Sequence, residues 1–102
     1  MLERKYQIPY DSRLPRRVDW KKVQDIVGVL YNNGKLKTTP MSTICEINYR
    51  TIVKYLFLLE TLEMIRYVNE DGFKLAVLTT RGIEYHRRNL ASSRTIEIAQ
   101  LD

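Results

Sequence analysis

The sequence holds one cysteine, one histidine, three prolines and four glycines in 102 residues. No apolar run approaches the roughly 20 residues that a membrane span requires. A lone Cys45 excludes an internal disulfide, and its neighbours Ile44 and Ile47 predict a thiol packed as a small hydrophobe. His86 has no cysteine, aspartate or second histidine at ligand spacing, so no metal site is expected. A nucleophile–base pair, a carboxylate dyad and a phosphate loop are all missing, and Gly72 and Gly82 read as a turn and a helix start. Neither enzymatic activity nor a cofactor is therefore expected. The opening MLERKYQIPYDSR carries charge but no apolar core, so a secretory signal is not expected and a cytoplasmic location is.

What is present fits one globular domain: 44% of residues are apolar and 28% charged, a balance that can bury a core. Seventeen Lys and Arg face twelve Asp and Glu, a formal charge of +5. Five cations and only two carboxylates fall within residues 1–18, so net +3 of that excess sits on an N-terminal arm. Such a segment attracts a polyanion, or serves only as a solubilising tail.

The arm, residues 1–18, contains Pro9 and Pro15 and reads as extended, with Tyr6, Ile8 and Tyr10 packing on the body or forming a short strand. Asp19 is a helix N-cap, and Trp20, Val23, Ile26, Val27, Leu30 and Tyr31 follow at helical spacing as one apolar stripe. Asn32, Asn33 and Gly34 end that helix. Residues 35–38 form a connector with room for a short strand. Thr39 and Pro40 then supply an N-cap and a first helical position, and a short helix runs through Met41, Ile44 and Cys45. Residues 46–48 turn, and Asn48 caps the next helix. Its seam is Ile52, Leu56, Leu59 and Leu62, widened by Val53, Tyr55, Phe57 and Leu58, which places it at the centre of the fold. Two strands, 65–69 and 73–78, flank a Glu70-Asp71-Gly72 turn. A last helix starts at Thr79 or Thr80 and spans about 81–90. Residues 91–102 read either as its continuation or as a strand.

The run INYRTIVKYLFLLETLEMIRYV, the hairpin after it and then LTTRGIEYHRR resemble the winged helix-turn-helix proteins of archaea and their viruses. The resemblance spans residues 20–90. It implies an α+β, mainly α fold: a three-helix bundle with a β-hairpin wing and a C-terminal helix. The domain would be 19–90, with 91–102 a tail that can extend a dimer interface. It also implies that Asn48, Tyr49, Arg50, Thr51 and Lys54 face DNA on the recognition helix and that a homodimer forms. The chain departs from the pattern at its acidic wing tip and at its N-terminal arm.

Arg50 can donate two parallel hydrogen bonds to a guanine edge, and Lys54 one turn on suits a phosphate. Asn48 is in part committed as a cap. Tyr49 offers a hydroxyl to a phosphate, whereas Tyr55 is assigned to packing. Arg66 and Lys74 on the wing could flank a groove if they point to one side; otherwise they are edge-strand charges. Arg16 and Arg17 of the arm complete the candidate DNA contacts, and Arg81, Arg87 and Arg88 read as solvated, with phosphate binding or pairing with Glu84 as alternatives. The expected function is sequence-selective binding of double-stranded DNA by a homodimeric transcriptional regulator, with residues 83–101 and exposed faces of Trp20 or Tyr31 as the interface. Two alternatives are a non-specific architectural DNA-binding protein and a winged-helix protein-interaction module.

Overall fold

A computed structural model describes residues 11–90 in full and 91–101 as helix. The expected packing of Tyr6, Ile8 and Tyr10 lies outside the described residues. Asp19 starts α1 (Trp20–Asn33), its carboxylate accepting from the Lys21 N–H, and Gly34 at φ 84° ends it. Val23, Ile26, Val27 and Leu30 are buried on one face. Trp20 and Tyr31 continue the helical spacing but stand exposed, because the helix outruns the core at both ends.

The strand β1 (Lys35–Leu36) leads into α2 (Thr38–Cys45). Here the expected Thr39 cap gives way: Lys37 occupies the N-cap position and no side chain caps it. Pro40 is then the third helical residue, where its missing donor still leaves no intrahelical bond unmade. Cys45 packs against the core together with Ile47, as expected of a small hydrophobe, but it is only half-buried, and Ile44 is exposed. Partial burial and the Asp25 charge push the Cys45 thiol above its usual pKa, so it is not primed as a thiolate. The α2 helix closes with Glu46 in the left-handed region at φ 57° and the Ile47 N–H reaching back to the Ser42 carbonyl at 3.2 Å.

Asn48 caps α3 (Tyr49–Thr61) as expected, its Oδ1 accepting from the Thr51 N–H at 2.9 Å. Ile52, Tyr55, Leu56 and Leu59 form its buried face. Val53 and Phe57 do not widen that seam; Val53 is exposed and Phe57 half-buried on the other side. The helix ends through Leu62 and Glu63, and the Met64 N–H bonds the Leu59 carbonyl at 2.8 Å, turning the chain into the sheet.

Strands β2 (Ile65–Glu70) and β3 (Phe73–Leu78) form the expected hairpin about Asp71 and Gly72, at φ 51° and 80°. Two successive positive φ values match the twist of the flanking strands. The sheet order is β1-β3-β2, antiparallel throughout. Ile65, Ala76 and Met64 join the helical residues in one core. Fully buried side chains such as Ile26, Leu30, Ile52 and Leu59 each contribute about 1.5–3 kcal/mol of transfer free energy.

The final helix α4 (Thr80–Leu101) does not stop near Leu90 but continues through the segment left open as helix or strand. Its seat is tight. Thr79 donates its N–H to the Met64 carbonyl and its hydroxyl to the Glu63 carbonyl, while its Oγ1 accepts from the Gly82 N–H at 3.2 Å. A Cβ on Gly82 would lie 2.2 Å from the Met64 oxygen, so only glycine fits. Against α1, His86 lies 4.4 Å from the Tyr31 ring, centroid to centroid. Among the described residues no helix is long and apolar enough to cross a membrane.

Candidate nucleic-acid interface

Away from its buried seam, α3 carries two parallel rows one residue apart. Tyr49, Val53 and Phe57 recur at i, i+4 and i+8, and Arg50 and Lys54 run beside them. Tyr49 is 55% exposed and Val53 44%. Arg50 is exposed and Lys54 half-exposed, and neither makes a hydrogen bond or ion pair within the described residues. Thr51 falls at the edge of the stripe, half-buried, with its N–H held by the Asn48 cap. Of the residues predicted to face DNA, four therefore share one end or outer face of α3, and Thr51 sits between that face and the core.

A groove lies on each side of the stripe. On the arm side, Tyr49, Arg50, Val53, Lys54 and Phe57 meet Ser12 and Arg13. The Arg13 guanidinium lies over the Phe57 ring, 4.4 Å from its centroid, and holds Asp11 through paired hydrogen bonds. That pairing keeps the Asp11 carboxyl below the usual carboxylate range. Arg13 was absent from the candidates, because a cation in an aperiodic segment gives no sequence signal for a ring so far along the chain. The arm is anchored just beyond it. Tyr55, buried as expected, accepts the Asp19 N–H at its hydroxyl (2.8 Å) and donates to the Arg17 carbonyl at 3.4 Å. Arg16 and Arg17 are exposed at that junction.

On the wing side, the groove is lined by Tyr49, Val53, Leu56, Thr38, Tyr67 and Lys74. Lys74 stands 3.9 Å from the Tyr67 ring centroid, on the face of the hairpin that turns toward α3. Burial, with the Glu60 charge, pushes the Tyr67 hydroxyl above its usual pKa and keeps it a neutral donor. Arg66 does not join Lys74. Arg66 pairs with Val77 and Lys74 with Asn69, an odd step along β2, so the two cations lie on opposite faces. They cannot flank one groove together. At the wing tip, Glu70 is ion-paired with Lys35, and the Lys37 ammonium lies 3.3 Å from the Phe73 ring centroid. Arg81 pairs with Glu63 and the Leu62 carbonyl rather than with Glu84.

This arrangement of helices, three-stranded sheet and outward α3 recurs in solved structures. A G34K mutant of MepR from S. aureus superposes with a TM-score of 0.75 at 19% identity, over 78% of this chain and 62% of that one. RV1404 from Mycobacterium tuberculosis gives 0.68 at 20% identity, over 89% and 60%. A MarR-family transcriptional regulator from Silicibacter pomeroyi gives 0.67 at 15%, over 79% and 56%. The fold is a winged helix. The chain spans about three fifths of the length of these bacterial proteins. No family model matches the sequence, and no curated protein matches it. The likeness thus carries the winged-helix architecture, with β2–β3 as the wing, and it gives no support to an archaeal or viral origin over a bacterial one.

Proposed function

We propose that this winged helix binds double-stranded DNA with sequence preference, as a homodimer, and regulates transcription. The carrying observation is the outer stripe of α3: two cations without partners among the described residues, on a helix whose opposite face is fully committed to the core. A helix so placed can enter a major groove and put Arg50 against base edges and Lys54 against a phosphate. Arg16 and Arg17 on one side and Lys74 on the other extend the positive surface beyond the stripe. The comparisons support the reading, since MepR is described as a transcription regulator of an efflux pump and the Silicibacter protein as a transcriptional regulator. A homodimer follows from the small surface that one recognition helix buries, and exposed Trp20, Tyr31 and Leu90 near α4 supply its apolar contacts. The role is binding rather than catalysis.

Selection from a random duplex library tests the reading. An enriched motif with two-fold symmetry is expected, its half-sites about one helical turn apart. Recovery of sequences no different from the input would leave an architectural protein that coats DNA. The acidic wing tip favours a second reading, a protein-docking module. Failure to retain any duplex at low salt would leave that reading alone.

A further inference from the structure

The two grooves beside α3 share two lining residues, Tyr49 and Val53. A side chain that borders both grooves stands on the ridge between them, and these two are 55% and 44% exposed there. Arg50 and Lys54 line only the arm-side groove and sit on its slope. A major groove that receives this face would meet a tyrosine ring and a valine as well as the Arg50 guanidinium beside them. Single exposed apolar residues are ordinary on protein surfaces. Here both stand on the crest of the face that points at DNA, with cations immediately beside them.

The edges of base pairs in the major groove carry one apolar group, the C5-methyl of thymine. Val53 gains most by burying its methyls against that group; a cytosine edge offers only the smaller C5–H, and beside a guanine edge it would desolvate polar atoms without return. Resting on the DNA-binding reading above, we infer that the half-site is centred on thymines, read by Val53 and the Tyr49 ring. Arg50, on the slope, takes a flanking base or a phosphate. Phe57 adds no third methyl reader, because the Arg13 guanidinium covers its ring. Instead the Arg13–Asp11 ion pair closes that end of the row. The preferred target is a thymine-rich duplex core bordered by the phosphates that Lys54 and Lys74 can reach.

Deoxyuridine tests this directly, since it keeps the pairing and hydrogen-bonding groups of thymidine and lacks only the methyl. The full chain is titrated with a duplex recovered by the selection, and then with duplexes in which each central thymidine is replaced in turn. At one or more positions affinity should fall about fourfold, the factor equivalent to about 0.8 kcal/mol per buried carbon. At the thymidine that Val53 reads, Val53→Ala should bind the thymidine duplex as weakly as the original protein binds the deoxyuridine one and should no longer distinguish the two, while discrimination at the thymidine under Tyr49 persists. A selected site without central thymidines overturns the inference, as do replacements that all leave affinity unchanged; DNA binding itself survives either result. Val53→Ala that still distinguishes the methyl at every one of those positions overturns the assignment to Val53. If no duplex is retained at all, the inference falls together with the reading beneath it.

Discussion

Tyr55 links the core to the arm through one side chain, its ring buried among α3 and α1 residues and its hydroxyl bonded to Asp19 and Arg17. Tyr55→Phe leaves the Asp19 N–H without its partner and should cost about 1 kcal/mol, read as a lower urea midpoint with an unchanged slope. Loosening the arm should also make the salt dependence of DNA binding shallower. Arg50→Ala should cost about 1–3 kcal/mol on the preferred duplex and relax the requirement at one base pair. A loss equal on all sequences would make Arg50 a phosphate contact. At this scale the sequence was most legible where chemistry is local: the Asp19 and Asn48 caps need only their own next turn. Val53 and Phe57 were misplaced, because an apolar residue at helical spacing looks the same whether it faces the core or a ligand. Arg13 was missed because its partner is distant in the chain.

Among the elements, the seat of α4 is the least forgiving. Gly82→Ala forces a Cβ into the Met64 carbonyl, a backbone atom that cannot swing away. A loss of about 1–3 kcal/mol is expected, measured by thermal or denaturant unfolding. The glycine two residues into α4 is thus explained by one close approach. The wing makes a different prediction. Asp71 holds a left-handed turn position at the acidic tip, and Asp71→Asn keeps that conformation while removing the charge. If the tip lies about 10 Å from phosphates, affinity at low salt should rise roughly twofold and the gain should fade as salt increases. Unchanged affinity would turn the tip away from DNA. The hairpin was legible nearly to the residue because Asp-Gly between alternating apolar residues admits few other structures. The start of α2 was not, since Thr39-Pro40 offers a strong local signal that the backbone does not use. The split of Arg66 and Lys74 to opposite faces follows from strand register, which the pattern of residues alone left open.

For the whole molecule, the charge excess and the outward recognition stripe point the same way, and the account stands on their coincidence. If around five phosphates are engaged, the logarithm of affinity should fall with the logarithm of salt at a slope near about −4.5. Sedimentation should show a dimer, and a monomer at high concentration would remove the two-fold half of the proposal. The length of α4 was not legible, because residues 91–102 satisfy helical and alternating patterns alike and only the tertiary seat of the helix favours one. The most direct test of the central claim is chemical-shift mapping of the backbone amides as a short duplex is added. The account predicts that the large shifts fall on residues 48–57, with smaller ones at Arg13 and Lys74. Shifts confined to α1 and α4, with 48–57 unmoved, would contradict it.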